Sequence, residues 1–382
     1  MNKALILVTL FLAVSSCNDD DISTSIGPVR EFEILASDYD ENRHFFLGHF
    51  FRDNYERWLE SIPQVTSGVD FSHLEAYVLR RSTESLNTRN VIALTDLGEA
   101  SRINSIDIEA NENQPLGSPA SNVANDLFSQ LTQYDYESAE DYLKATFPSF
   151  EKSKDYLKIA QARKLDETEY TISEAFGYLS LKRKLADDEV LAVSYKYSFN
   201  GVPYQVGEME WDYINRAEGD VIYLKLLRPD RIDTQSNTWD LMMKNIYRLN
   251  TNRISSDGFE LEVIYRNDVT GQDLSSLPEG QLLSDVSLIE VTKLDQLSES
   301  NELIPDGQFD FIEQLTIDSE EGIIIFPVLE PYGSHLKSWF QEGTEDHLID
   351  KYVYDELYNN NQAIAKLLSA KNKFVIVGQL PR

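Results

Sequence analysis

The sequence predicts an α+β fold, rich in antiparallel β-structure, with an amphipathic helix near its N-terminus and a C-terminal helix followed by a strand. Apolar side chains occupy alternate positions over residues 191–197 and again over residues 259–265, which is the period of a half-buried strand. Stretches with a helical period lie before, between and after these strands. Runs of strands with helices at intervals favour the α+β class.

The first seventeen residues have the pattern of an export signal that ends in a cysteine. Lys3 precedes an apolar run over residues 4–14, which is too short to span a bilayer as a permanent helix. Small residues then lead to Cys17, the single cysteine of the chain, as in the lipobox of bacterial lipoproteins. We therefore predict a lipoprotein signal peptide over residues 1–16 and an acyl anchor on Cys17. An ordinary secretory signal is the alternative.

Residues 17–27 are predicted to be an acidic, flexible tether, because they are too polar to pack. Asn18 stands where an aspartate would retain a lipoprotein in the inner membrane of some bacteria, so we expect an outer-membrane location, on the cell surface or on the periplasmic face. The acidic run at residues 19–21 resembles the surface-export signal of gliding bacteria. A plain acidic linker explains the same residues.

The charge and composition of the chain restrict its partners and its class. The formal net charge is −31 over 382 residues, which repels nucleic acid and anionic membranes and favours cationic partners. Hydrophobic residues make up 42% of the chain, so a packed core is expected and an acidic disordered protein is not. The length allows one large domain or two to three smaller ones.

Residues 28–110 are predicted to form a helix plus strand subdomain. One amphipathic helix is expected over residues 37–59, since an apolar residue recurs at every fourth position of its second half. Two short strands are expected at residues 74–79 and 90–94. Residues 111–121 contain two prolines and a glycine among amides, and are predicted to be a loop or hinge.

Residues 122–382 are predicted to be a β-rich region. Helical character is expected over residues 125–164 with a break at Pro148, and a short helix over residues 239–249. Besides the two alternating strands, continuous apolar runs predict strands at residues 221–227 and 322–326. A helix over residues 350–369 should direct Val353, Leu357, Ile364, Leu367 and Leu368 inward, and a final strand is expected at residues 374–377.

The sequence contains no motif that predicts catalysis, a cofactor or a bound metal. No two histidines have the spacing of a zinc hydrolase, and His44 and His49 are interpreted as surface or packing residues. There is no nucleophile elbow and no phosphate-binding glycine loop. Asp306 and Asp310 flank a glycine, but a calcium loop needs more oxygen ligands, so a turn is the better interpretation. We therefore do not expect an enzyme.

One segment is unusual because it concentrates aromatic and methionine side chains. Trp239, Met242, Met243 and Tyr247 lie within nine residues. Aromatics and methionines at helical spacing are typical of a core or of an interface. We treat these four residues as a candidate interaction surface.

Ten short segments follow one another in a fixed order along residues 30–378. They are RHFFL (43–47), FRDNY (51–55), RNVIALTDLGE (89–99), YQVGE (204–208), LKLL (224–227), WDLMMKNIY (239–247), PDG (305–307), FDF (309–311), FPVLEPYG (326–333) and KNKF (371–374). Together they resemble the gliding-motility and type IX secretion family SprA, called Sov in some members, in its N-terminal-type domain. By this resemblance, residues 122–382 are a SprA-like region.

The resemblance implies association with the type IX translocon or the gliding machinery, and it does not imply catalysis. Family members are very large outer-membrane proteins through which folded cargo is exported, and they continue far beyond the point where this chain ends. We therefore expect a lipid-tethered interaction protein, with a truncated translocon gene product as one alternative. The other alternative is a surface lipoprotein that binds glycan or peptide in a groove of exposed aromatics, drawn from Trp211, Trp239, Trp339 and tyrosines.

Overall fold

The computed structural model describes residues 30–79, 88–115, 117–213, 220–268 and 270–381. The predicted signal peptide, Cys17 and the tether lie outside the described residues. The described part is an α+β structure rich in mixed, mainly antiparallel β-sheet, which confirms the predicted fold class.

Sixteen strands and eight short helices are found among the described residues. The strands are β1 (Arg30–Leu35), β2 (His44–Phe46), β3 (Val69–Leu79), β4 (Thr88–Leu94), β5 (Tyr156–Lys164), β6 (Tyr170–Ser173), β7 (Tyr178–Leu181), β8 (Val190–Phe199), β9 (Val202–Val206), β10 (Val221–Arg228), β11 (Ile246–Arg248), β12 (Glu260–Asn267), β13 (Gln272–Leu274), β14 (Ile317–Asp318), β15 (Ile323–Ile325) and β16 (Phe374–Leu380). The helices are α1 (His49–Trp58), α2 (Leu127–Leu131), α3 (Tyr136–Thr146), α4 (Leu288–Val291), α5 (Ser334–Lys337), α6 (Asp346–Tyr352), α7 (Glu356–Asn359) and α8 (Gln362–Leu367).

Five strands form a sheet that closes on itself. The order is β10-β4-β5-β3-β8, and β8 pairs in turn with β10, while β9 adds to β8. Only the β10–β4 pair of this ring is parallel. Alternate residues point into the ring, where Ala93, Ala162 and Ala192 lie among larger apolar side chains. These alanines fit the narrow interior of a ring of only five strands.

The outer face of the ring is covered on two sides. On one side α2 and α3 pack against β4 and β10 through Leu127, Leu143 and Tyr223. On the other side lies the largest core cluster, where α1 packs against β8. Phe51 of α1 has its ring centroid 5.1 Å from that of Tyr197. The remaining three sheets adjoin this larger core, with strand orders β1-β16-β12-β13, β11-β15-β14 and β2-β7-β6.

The predicted N-terminal helix is correct only in its second half. Residues 37–46 contain a short 3-10 turn, Ala36–Asp38, and strand β2, which pairs with β7. The helix α1 begins only at His49, after Gly48, and ends at Trp58. Tertiary sheet pairing therefore replaces the helix over residues 44–46, where the four-residue apolar period is not yet established.

Two further helix predictions are wrong in part. Residues 125–164 form α2 and α3, but the stretch after Pro148 is strand β5, which is needed between β3 and β4 to complete the ring. Residues 350–369 are divided among parts of α6, α7 and α8, so their apolar residues do not share one face. Val353 and Leu357 are buried, whereas Leu367 is 81% exposed and Ile364 is also exposed.

The strands predicted at residues 74–79, 90–94, 191–197, 221–227, 259–265, 322–326 and 374–377 are all confirmed, with changes at their ends. The predicted division of the chain at residues 111–121 does not coincide with a division of the sheets. Strands β3 and β4 precede this loop and share one ring with β5, β8 and β10, which follow it. Strand β1 pairs likewise with β16.

A charged groove as the candidate functional site

Helix α1 has two faces of different character. Phe50, Phe51, Tyr55 and Trp58 are buried in the core. The other face carries His49, followed by Arg52, Asp53 and Glu56 at the third, fourth and seventh positions after it, which places these side chains in one row. The alternation of aromatic and charged residues in the sequence HFFRDNYERW produces both faces at once.

Arg52, Asp53 and Glu56 of this row line an open groove with a volume of about 540 Å³. We call it the charged groove and define it by six ionisable residues and three others. The ionisable residues are Arg52, Asp53, Glu56, Arg102, Asp240 and Glu330, and the others are Leu329, Ser334 and Asn359. Four carboxylates and two guanidinium groups leave the groove with a net negative charge.

Ion pairs fix the two arginines between the acids. Arg102 Nε lies 3.0 Å from Asp53 Oδ2, and Arg102 Nη1 lies 3.2 Å from Asp240 Oδ2. Arg52 Nε donates to the carbonyl oxygen of Asp240 at 3.1 Å, and Arg52 Nη2 lies 3.6 Å from Glu330 Oε1. Because these groups are partly exposed, each pair contributes at most about 1 kcal/mol to stability. Their main effect is to hold the side chains in place.

A buried ionic cluster lies behind the groove. Glu99 Oε1 is 2.8 Å from Lys225 Nζ and 3.1 Å from His49 Nδ1, and all three side chains are at most 2% exposed. Burial would raise the pKa of Glu99, but the charges of Lys225 and His49 outweigh it and lower this pKa to about 2. His49 Nε2 lies 2.9 Å from the carbonyl oxygen of Asn237, which connects the cluster to the turn beside the groove.

The candidate interaction surface from the sequence is not exposed. Trp239 is 6% exposed, and Met242, Met243 and Tyr247 are at least as deeply buried. The predicted helix is absent here as well: a 3-10 turn, Asn237–Leu241, is followed by extended chain and β11. The packing explanation is therefore the correct one, and only Asp240 of this segment reaches the groove.

Lys244 holds this segment in place from inside the protein. Its Nζ donates to the carbonyl oxygens of Trp239 at 2.8 Å and Met242 at 3.1 Å, and lies 4.5 Å from the centroid of the Trp239 ring. Burial lowers the pKa of Lys244 to about 7, although the charge of Asp240 opposes this.

Asp40, His44 and Ser180 form a hydrogen-bonded chain that resembles a catalytic triad only in its residue types. His44 Nδ1 lies 2.8 Å from Ser180 Oγ, and His44 Nε2 lies 3.1 Å from Asp40 Oδ2. His44 and Ser180 are directly opposed in the β2–β7 pair, and Asp40 is also bound by Arg43 and Arg248. Ser180 does not line the charged groove. We interpret these hydrogen bonds as a structural link that stabilises the pairing of β2 and β7.

The two aspartates of the predicted turn stabilise backbone. Asp310 Oδ2 accepts from the N–H groups of Gln296 at 2.6 Å and Leu297 at 3.1 Å. Burial raises the pKa of Asp310 to about 6. Asp306 donates its own N–H to Asp295 Oδ1 at 3.0 Å. In the described part of the chain, no group of three histidine, cysteine or acidic side chains could hold a metal ion.

The sequence did not predict the charged groove. Arg52, Asp53, Asp240 and Glu330 lie in segments that carry the SprA resemblance, but no pattern in the sequence marks them as site residues. Arg102 was missed altogether, because it lies in a loop without any periodic pattern and is brought to the groove by tertiary folding alone.

The aromatic groove expected for a glycan or peptide binder is not formed by the named tryptophans. Trp239 is buried, while Trp211 is partly exposed and packs against His73, with ring centroids 4.7 Å apart. Neither Trp211 nor Trp339 lines the charged groove.

No protein-family model matches this chain, and no curated protein is significantly similar to it. Among the described residues, no helix is long and apolar enough to cross a membrane. The SprA resemblance and lipidation at Cys17 stay predictions from the sequence.

Proposed function

We propose that this protein is a lipid-anchored, non-catalytic component of the outer membrane that works with the type IX translocon or the gliding machinery. Acyl chains on Cys17 would attach it to the membrane, and the charged groove would contact the partner. The proposal rests on the lipobox-like signal, on the SprA resemblance and on one structural observation.

That observation is the convergence of distant segments that carry the resemblance. Phe45 of the first segment forms a β-bridge with Met242. The side-chain amide of Asn245 donates from Nδ2 to the carbonyl oxygen of Phe326 at 2.7 Å. Glu99 of another segment pairs with Lys225. Segments separated by up to about 280 residues thus pack against one another, and they supply five of the nine residues of the charged groove, namely Arg52, Asp53, Asp240, Leu329 and Glu330.

The groove suits a partner surface that presents basic groups. Its acids exceed its arginines by two, and the chain as a whole carries a formal charge of −31. Charges of opposite sign on a partner would increase the association rate and fix the orientation of the complex, with an effect that weakens as salt rises.

The experiment is an in-cell cross-linking and pull-down from native membranes with the tagged full chain. The double variant Asp53→Lys, Glu330→Lys reverses the groove at two partly exposed positions. We expect recovery of translocon or gliding subunits to fall at least about tenfold. The matched control is Glu320→Lys, at a position that is 78% exposed and lies outside the groove, and it should leave recovery unchanged.

Recovery of no translocon or gliding subunit by the unaltered chain would contradict the proposed association. Equal recovery by the groove variant and the control would reject the groove as the contact while leaving the association intact. The anchor has its own test: Cys17→Ala should abolish acyl labelling and move the protein out of the membrane fraction. Continued labelling would reject lipidation at Cys17.

A further inference from the structure

A second, smaller cavity lies at the end of β10, apart from the residues that define the charged groove. Its volume is about 20 Å³, enough for roughly one or two water molecules or one carboxylate group. The wall is mainly apolar and includes Phe45, Leu227, Trp239 and Met242. Two of the four residues that the sequence suggested for interaction, Trp239 and Met242, therefore line a cavity instead of an exposed surface.

Arg228 supplies a buried positive group to this cavity. The residue is 3% exposed, and its guanidinium is fixed in two places: Nε donates to Asn42 Oδ1 at 3.0 Å, and Nη1 donates to the carbonyl oxygen of Glu189. Asn42 and Arg228 both line the cavity, so their hydrogen bond places the guanidinium at its wall. The orientation of the group is set before any ligand arrives.

The remaining guanidinium nitrogen, Nη2, is buried and has no hydrogen-bond partner among the described residues. A buried charged donor without a partner destabilises the protein, because it has lost its hydrogen bonds to water. In the described part of the chain, no carboxylate lies within ion-pair distance of Arg228. A hydrogen-bond acceptor that enters the cavity and binds Nη2 would therefore stabilise the protein.

The charged groups nearest to Arg228 are Asp233 in the cavity wall and several more distant acids. Asp233 lines it, but its Oδ1 accepts from the Gln235 N–H at 2.9 Å and its Oδ2 lies 3.7 Å from Lys154 Nζ. Burial lowers the pKa of Arg228, and the more distant acids Asp187, Glu41, Glu189 and Asp188 only oppose this in part. Glu41 is itself paired with Lys184 at 2.9 Å, and Glu189 with Arg183 at 2.6 Å.

We propose that the cavity beside Arg228 binds a small carboxylate, which accepts a hydrogen bond from Nη2 while its short apolar part packs against Trp239 and Met242. A carboxylate is favoured over a neutral acceptor because a hydrogen bond between two charged groups is about twice as strong as one between neutral groups. Two sources offer this chemistry: a free short-chain carboxylic acid, and the carboxyl terminus of a peptide that ends in a small residue.

The test is calorimetric titration of the purified full chain with acetate, propionate and the uncharged isostere propionamide. We expect saturable binding of acetate or propionate and at least about tenfold weaker binding of propionamide. Two short peptides that end in alanine, one with a free and one with an amidated carboxyl terminus, distinguish the sources. Tighter binding of the free peptide than of propionate assigns the peptide, and the reverse assigns the free acid.

Two variants locate the binding. Ile232 lines the cavity and is 43% exposed, so Ile232→Trp should fold normally and close the entrance, which should weaken binding at least about tenfold. Arg228→Lys keeps the charge but loses the fixed geometry, and should weaken binding as well if it folds. The matched control for the tryptophan is Val202→Trp, at a position that is 51% exposed and outside the cavity.

The proposal is overturned by any of three results. These are no saturable binding of any carboxylate, equal binding of propionate and propionamide, or full binding by Ile232→Trp. An experimental structure with the ligand that shows only a water molecule on Nη2 has the same consequence. None of these results bears on the association with the secretion machinery, because the variants leave the charged groove intact.

Discussion

Lys225 Nζ lies 2.8 Å from Glu99 Oε1, and both side chains are almost completely removed from solvent. Lys225 is on a strand of the closed sheet, while Glu99 follows β4 and is held close to α1 through His49. The pair thus joins the ring to the helix that carries the charged groove. Loss of this ion pair should therefore destabilise both the ring of strands and α1.

Replacing one partner of this pair should be strongly destabilising. Lys225→Met leaves the Glu99 carboxylate buried without its main counter-charge, and we expect a loss of about 3–5 kcal/mol in the free energy of unfolding. Urea unfolding of the wild type and the variant measures this loss of free energy. The double variant Lys225→Met, Glu99→Gln removes both charges and should lose less than the single variant does. A double variant at least as unstable as Lys225→Met would contradict this account.

The ionised state of Glu99 should make stability dependent on pH in the acid range. The folded pKa of about 2 lies below the ordinary value of 4.5, so this contribution is fully present above pH 4.5 and is lost as pH falls toward 2. The difference amounts to roughly 3 kcal/mol. Urea unfolding of the wild type and of Glu99→Gln, compared between pH 3 and pH 6, isolates it. A stability difference that does not shrink at low pH would argue against the low pKa.

Gly177 should not tolerate a side chain. Its φ is +63°, and a Cβ atom there would lie 2.3 Å from Cδ1 of Phe51. Gly177→Ala combines backbone strain with a clash inside the aromatic packing of α1, so we expect a loss of about 2–4 kcal/mol. Gly271 is the matched control, since its φ is +67° and its Cβ would meet nothing within 4 Å. Gly271→Ala should cost only the strain, about 1 kcal/mol. Equal losses in thermal unfolding would refute the clash.

Trp239 should behave as a core residue and not as part of an exposed protein–protein interface. It is 6% exposed and its Nε1–H donates to the carbonyl oxygen of Tyr358, so Trp239→Ala should lower the free energy of unfolding by about 3–5 kcal/mol. Trp211, which is 38% exposed, is the control. Trp211→Ala should cost less than about 1 kcal/mol in the same denaturant titration. A Trp239→Ala variant as stable as the wild type would restore the interface interpretation.

The strands were predictable because their evidence is local. The alternation around Tyr195 and Val263 needs only the two-residue period of a strand, and both strands form as expected. Strand β5 was not predictable from the sequence, because its residues have a helical period and become a strand only through pairing with β3 and β4. The exposure of Leu367 was also missed, since three short helices replace the single helix on which its inward direction depended.

The site was less predictable than the fold. Its residues come from α1, from the loop at Arg102, from the turn at Asp240 and from the stretch at Glu330, and no spacing along the sequence connects them. The composition of the segment that starts at Trp239 is unusual, but it does not indicate an exposed interaction surface. Its aromatic and methionine side chains fill the core, and the one acid among them, Asp240, faces the groove.

Strand β1 is the first described element after the predicted tether, and among the described residues it is an edge strand that pairs with β16 alone. In the proposed lipid-anchored protein, β1 would transmit force between the acyl anchor and the folded body. A pull along the strand axis would load all of its register pairs together in shear. A pull away from the sheet would open them one after another, beginning at Arg30 opposite Leu380, so the direction of the load decides how firmly the body is held.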